Sequence, residues 1–294
     1  MRRKITLGTA NFGLTYGIAN QRMLSKRESF LVLERALEMG LSSVDTARGY
    51  GEAEKVLGAF FRQHGKCFEV VTKLPAREYA SPNDVAEEIE KSLAALETDF
   101  IDVLLLHSFE TFQHFERVLI PTLEEYVGKG MIGRFGVSVY HPREAETLLE
   151  HAPGFAAVQF PLNMFDRRFL KDDLLLRLRK GGVRLDARSA FLQGLFFLPS
   201  QKLSAQFEPA KEKLKRLSAI AHENGLTVGA MALLFAASCD VDHIVLGVDS
   251  AEQLEENLGW LGNGGSRRFA QVRHVLDELE VTAEDVILPY RWGN

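Results

Sequence analysis

Short apolar or β-branched runs alternate with amphipathic stretches from one end of this 294-residue chain to the other, with no linker between them. Parallel strands need a crossover long enough to hold a helix, so this alternation is the pattern of parallel βα units. Eight strands can be counted: Ile5 to Thr9, Ser43 to Thr46, Glu69 to Lys73, Ile101 to His107, Ile132 to Ser138, Ala157 to Phe160, Val183 to Arg188 and His243 to Val248. Between them lie helix starts, with Ser25 before Arg27 and Glu28, and Ser81-Pro82-Asn83-Asp84, where a capping residue precedes acidic first-turn residues. Gly40, Gly130 and Gly225 follow amphipathic runs, as expected where a helix ends in a left-handed residue. The expected fold is α/β, a single (β/α)8 TIM barrel over residues 1–294, because such barrels commonly occupy about 250 residues. An open doubly wound sheet would show the same alternation. The first strand-loop, Leu7-Gly8-Thr9-Ala10-Asn11-Phe12-Gly13, lacks the Gly-x-Gly-x-x-Gly of that fold, and Gly262 to Gly265 reads as a helix stop.

With 46% hydrophobic and 26% charged residues the chain can bury a large core. A net charge of −5 offers no basic stripe for a phosphate backbone, so no nucleic-acid partner is expected. The two cysteines, Cys67 and Cys239, sit near apolar runs and read as buried thiols in a reducing cytoplasm. Met1-Arg2-Arg3-Lys4 is basic, but Thr6, Gly8, Thr9 and Asn11 interrupt the apolar stretch behind it, so no secretory signal and no membrane partner are expected. His141, His151, His222 and His243 show no ligand spacing, and no metal site is expected. Lys211 to Arg216 reads as a solvated helix face and Leu174-Leu175-Leu176 as barrel-helix core.

In a parallel barrel the strand C-termini share one face, so polar residues ending apolar strands converge there. Asp45, Lys73 and His107 end the second, third and fourth strands, and Tyr50 follows on the loop after Asp45. Each has a structural explanation taken singly: a cap or ion-pair partner, a solvated strand end, a satisfied histidine, loop packing. Together they make a proton-transfer site. A tyrosine with an ordinary pKa near 10 is a poor acid, and an adjacent ammonium would bring proton release closer to neutral pH. A carboxylate would hold that ammonium, and a histidine would orient a carbonyl.

Val44-Asp45-Thr46-Ala47, Gly49-Tyr50-Gly51 with Glu54, Thr72-Lys73, Asp99-Phe100-Ile101-Asp102 through Leu106-His107, and Gly136-Val137-Ser138 together resemble the aldo-keto reductase family over nearly the whole chain. The resemblance implies one barrel domain over 1–294 and NAD(P)H-dependent reduction of an aldehyde or ketone, with Asp45, Tyr50, Lys73 and His107 as catalytic tetrad and Tyr50 as general acid. It implies NADP(H), with NAD as the alternative, lying across the barrel mouth. Ser138 and Gln159 match residues that hold the carboxamide, and Thr9 and Ala10 the first loop. Arg188, Ser189, Phe191, Gln193 and Gly194 match the phosphate-side loop, while Gly247, Val248, Asp249, Gln253, Glu256 and Asn257 match the adenosine end.

Four positions depart from the family pattern. Val139 stands where asparagine is frequent. Arg188 replaces the common aromatic and reads either as a guanidinium platform for the nicotinamide or as a surface ion pair. Gly247 and Gln253 stand where members selective for the 2′-phosphate carry cations, so the preference for NADP(H) over NAD(H) is expected to be weak. For the substrate, Phe12, Arg48, Phe109 and Trp292 are expected to rim the mouth, with Tyr16, Tyr290 and Arg291 alongside them, mixing aromatic faces with polar groups. That points to a sugar-derived or hydroxylated carbonyl, against a broad aldehyde reductase. A cofactor-binding regulatory barrel and an isomerase or lyase on the same scaffold are the other classes this sequence allows.

Overall fold

The computed structural model describes residues 4–292 apart from Pro153. All eight apolar runs are strands: β1 Ile5–Gly8, β2 Ser43–Asp45, β3 Glu69–Leu74, β4 Ile101–Leu106, β5 Ile132–Ser138, β6 Ala157–Pro161, β7 Arg184–Arg188 and β8 His243–Gly247. They pair in parallel in chain order and close into a barrel, with β8 against β1. Helices α1 Lys26–Glu38, α2 Ala53–His64, α3 Pro82–Leu96, α4 Phe109–Gly128, α5 Pro142–His151 and α6 Leu174–Lys180 each connect two consecutive strands. Between β7 and β8 lie α7 Glu208–Glu223 and α8 Val228–Ser238, and after β8 come α9 Ala251–Trp260, α10 Asn263–Val272 and α11 Glu284–Ile287. Among the described residues no single helix is long and apolar enough to cross a membrane.

Local chemistry explains where the helices begin. Ser25 and Glu28 form a reciprocal capping box at α1, and Ser81 and Asp84 another at α3, so orphan amide groups of both first turns are satisfied. Two local expectations need correction. Leu176 is 46% exposed, because the turn of α6 points Leu174, Leu175 and Leu178 inward and carries Leu176 to the outer side. Gly262 does follow the end of α9, but it is also the N-cap of α10, so the glycine-rich segment starts a helix as well as stopping one.

Side chains two apart on a strand share a face, and the inward set forms layers. At the N-terminal end lie Thr6, Ser43 and His243, joined by Thr6 Oγ1 to Ser43 Oγ at 2.7 Å and to His243 Nδ1 at 3.2 Å. Arg184 donates there to Asp186 at 2.8 Å and pairs with Glu69. Val71, Val103, Leu105 and Ala157 make a separate apolar layer further along. Asp45, Lys73 and Gln159 follow at the C-terminal end. The barrel interior is therefore polar at both ends, with an apolar layer between them on the β3, β4 and β6 side.

Gly136 lets β5 and β6 approach. A Cβ added there would overlap the Ala157 carbonyl oxygen and lie 2.8 Å from its Cβ, backbone and strand atoms that cannot give way. We expect Gly136→Ala to cost about 2–3 kcal/mol or more by overpacking. Urea unfolding checks this, and wild-type stability in the variant would show that the strands can separate there.

Candidate active site

The ends of β2, β3 and β6 meet at one polar cluster. Lys73 Nζ donates to Asp45 Oδ1 at 2.6 Å and to the Thr46 carbonyl at 2.9 Å, and Gln159 Nε2 donates to Asp45 Oδ2 at 2.7 Å. All three side chains are buried. Tyr50 reaches the cluster from the loop after β2. Gly51, at φ +56°, lies so close to Gly13 that a Cβ would overlap the Gly13 carbonyl oxygen, and this contact fixes the turn that carries Tyr50. Lys73 Nζ sits 5.1 Å from the Tyr50 ring centre, and the His107 ring packs edge-on to Tyr50 with centroids 5.7 Å apart. The sequence thus brings Asp45, Tyr50, Lys73 and His107 together from three strands and a loop.

Burial dominates the electrostatics. It draws the Lys73 ammonium below its ordinary pKa, against the pull of Asp45. Burial, with the added charges of Lys73 and Arg188, lowers His107 to about 3, so its imidazole is neutral at physiological pH. Tyr50 is pushed well above its usual range, first by burial and then by Asp45, while Arg188 pulls the other way. This differs from the expectation that Lys73 would lower Tyr50. Burial and the Asp45 carboxylate outweigh the cations there.

A cleft opens beside the cluster and runs over the barrel mouth from β7 to β8. Asp45, Tyr50, Gln159 and Arg188 line one end. Ser189, Phe191, Gln193 and Gly194 line its β7 side, Thr9 and Ala10 its floor, and Gly247, Val248, Asp249 and Gln253 its β8 side. Ser138 lies outside the lining, buried and in register with Gln159. On α9, Glu256 is exposed and Asn257 is buried with no partner for its Nδ2.

Four of the residues expected to rim the mouth are placed elsewhere, each for a physical reason. Phe12 is buried in the core. Arg48 pairs with Glu54 at 3.0 Å and Glu88 at 3.5 Å, which turns it toward the groove between α2 and α3. Phe109 is buried against Phe112, with centroids 5.6 Å apart. Trp292 packs edge-on to Phe207 and donates Nε1–H to the Val286 carbonyl at 3.1 Å.

Other residues occupy the rim. The Arg188 guanidinium lies 4.1 Å from the Tyr140 ring centre, and Tyr290 braces the same ring edge-on at 4.6 Å. Tyr140 follows Ser138 by two residues, so inward alternation continued past the strand end would have found it. Tyr16, Gly17, Ala19 and Asn20 also line the cleft. Their loop is strapped across it by Ile18 N–H to the Gln193 carbonyl at 2.9 Å and Asn20 Nδ2 to Asp249 Oδ2 at 2.6 Å. These contacts join residues far apart in sequence, and no local pattern announces them.

Comparison with known proteins agrees with this architecture. The Uncharacterized oxidoreductase YqkF of Bacillus subtilis (strain 168) is 24% identical over 280 residues, covering 87% of this chain and 90% of that protein. The L-glyceraldehyde 3-phosphate reductase of Escherichia coli (strain K12) is 23% identical, covering 91% of this chain and 87% of that protein. Among solved structures, the aldo-keto reductase AKR11C1 from Bacillus halodurans in its holo form shares the fold with a TM-score of 0.72 at 19% identity, covering 92% of this chain and 91% of that one. Residues 4–263 match the model of the Aldo/keto reductase family, and the chain belongs to that family.

Proposed function

We propose that this member of the family reduces an aldehyde or ketone to an alcohol with NAD(P)H, using Tyr50 as general acid. The observation that carries the reading is the buried Lys73–Asp45–Gln159 cluster beside Tyr50 and His107, at one end of a cleft lined by residues that follow β1, β7 and β8. The cofactor, when bound, supplies a hydride to the carbonyl carbon. Tyr50 gives its proton to the carbonyl oxygen as negative charge develops there. Its raised pKa keeps the phenol protonated until a stronger base, the forming alkoxide, is present. Lys73 lies on the face of the tyrosine ring and stabilises the phenolate left behind, while Asp45 holds Lys73 in place. Neutral His107 orients the carbonyl from the side of Tyr50.

Two features support a dinucleotide in the cleft. A Cβ at Gly247 would meet nothing within 4 Å, so the bare backbone leaves room for a ligand there. Asn11 lines the cleft with its buried Oδ1 unpartnered. In this reading Ser138 and Gln159 hold the carboxamide, with Thr9 and Ala10 beneath. Arg188 stacks on the nicotinamide, and Ser189, Phe191, Gln193 and Gly194 follow the pyrophosphate. Gly247, Val248, Asp249, Gln253, Glu256 and Asn257 surround the adenosine. NADP is the family's default, yet among the described residues Arg188 is the only cation lining the cleft, and it lies at the Tyr50 end. Arg268 is engaged elsewhere, donating to the Gly225 carbonyl at 2.8 Å.

Tyr16 beside the cleft, with Tyr140 and Tyr290 stacked at its rim, offers apolar ring faces and hydroxyls together, which favours a hydroxylated, sugar-like carbonyl. The name of the Escherichia coli relative, L-glyceraldehyde 3-phosphate reductase, points in the same direction.

Tyr50→Phe is expected to bind NADPH as the wild type does and to lose about 10²–10⁴-fold in turnover of a carbonyl substrate. Cofactor titration by fluorescence and consumption of NADPH over a panel of hydroxylated and apolar aldehydes check both halves. Undiminished turnover removes Tyr50 from the mechanism. Gln253→Arg should shift the preference toward NADPH over NADH by about 10- to 100-fold, the worth of one charge-assisted phosphate contact. Paired titrations measure this, and an unchanged ratio would place the 2′-phosphate away from Gln253.

A further inference from the structure

The charges at the Tyr50 end of the cleft do not balance. Lys73 is matched by Asp45 at 2.6 Å, and His107 is neutral. Asp186, deeper in the barrel, pairs at 2.8 Å with Arg184, which Glu69 shares from the N-terminal end. Asp249 lines the far side of the cleft, where Asn20 and Asn11 donate to it. Arg188 remains. Among the described residues no carboxylate lies within ion-pair distance of it; its guanidinium donates to the Val139 carbonyl at 3.1 Å and to Ser189 Oγ at 3.4 Å, and stacks on Tyr140. It is half-buried and fixed in orientation, leaving one uncompensated positive charge at this end.

Hydride transfer to a carbonyl hydrogen-bonded by Tyr50 requires the reacting carbon atoms to approach to about 3–3.5 Å, so the nicotinamide must occupy this end of the cleft. The reduced ring is neutral. Once it has given up a hydride, two electrons and a proton's mass, it carries a positive charge. We propose that Arg188 makes the cleft discriminate between the two oxidation states of the nicotinamide, binding the neutral reduced ring in preference to the cationic oxidised one. The inference rests on the cofactor reading above. It assigns the arginine a task that the aromatic usual at this place cannot perform, since both stack but only the arginine repels a cation. The consequence is directional. The site loads with reduced cofactor and sheds the oxidised product, which favours the binding and release steps of reduction while making the hydride step itself less downhill. By linkage the bound couple becomes easier to reduce, by about 30 mV for each tenfold of preference.

Two unit charges about 6 Å apart, at a permittivity between that of a protein surface and water, change a binding constant by on the order of tenfold or more. The test is equilibrium titration of the purified protein with NADPH and NADP+, and with NADH and NAD+, by fluorescence and calorimetry. The wild type is expected to bind the reduced form at least about tenfold more tightly than the oxidised form. Arg188→Met should lower that ratio about tenfold, while Arg188→Lys, which keeps the charge, should retain it within about threefold. Arg188→Tyr is a second neutral variant that restores an aromatic platform and should behave as Arg188→Met does. Loss of the preference in a neutral variant and its retention in the lysine variant support the proposal. A wild type without the preference, or a neutral variant that keeps it, overturns the proposal and leaves the cofactor reading standing. Failure of the wild type to bind either form overturns both.

Discussion

A lysine with 1% of its side chain exposed, inside a barrel whose next layer is Val71, Val103, Leu105 and Ala157, needs a partner to keep its charge. Asp45 is that partner, and the rest of the site is arranged around their contact. Asp45 receives hydrogen bonds from β3 through Lys73 and from β6 through Gln159, while Lys73 also reaches back to the carbonyl that ends β2. Three strands are tied at one point beneath Tyr50. Taking two charges out of water costs several kcal/mol per ion, and a buried pair often only offsets that cost. Its energy is better understood as maintaining a defined ammonium under a tyrosine ring than as holding the barrel closed, which the apolar layers and strand pairing accomplish.

The same contact accounts for the state of the neighbouring groups. Burial and, after it, the Asp45 carboxylate raise Tyr50, and its proton is held tightly. His107 stays neutral for the same reason of burial, with two cations nearby adding to the effect. The uncancelled charge is displaced to Arg188, at the inward-facing end of β7. Around this core the β1 loop crosses the cleft and anchors on Gln193 and Asp249, so access to the cleft is coupled to both of its walls.

Much of this was legible in the sequence because it follows from local periodicity. The strands appear as apolar runs, with β5 matching its expected bounds, Ile132 to Ser138, and the others differing by a residue or so at their ends. The inward face at each strand end follows from two-residue alternation, which is why Asp45, Lys73 and His107 could be gathered before any coordinates existed. What was not legible depends on side-chain competition across long separations. Arg48 stands beside Tyr50 in sequence, yet two carboxylates, one six residues on and the other 40, draw it to the outer groove. Tyr290 and Trp292 were both expected over the mouth; Phe207 and the Val286 carbonyl take Trp292, while Tyr290 reaches Tyr140.

The central claim is that the Lys73–Asp45 pair is kept for the chemistry at Tyr50 and not for stability. A double-mutant cycle on Asp45→Asn and Lys73→Met, read by both urea unfolding and turnover of a carbonyl substrate, tests it most directly. Each single variant leaves a buried charge unmatched and should lose about 3–5 kcal/mol of stability. The double variant should regain most of that loss, to within about 1–2 kcal/mol of the wild type, while its turnover stays at least about 100-fold down. Additive losses of stability, or a double variant that reduces carbonyls at the wild-type rate, would contradict the account.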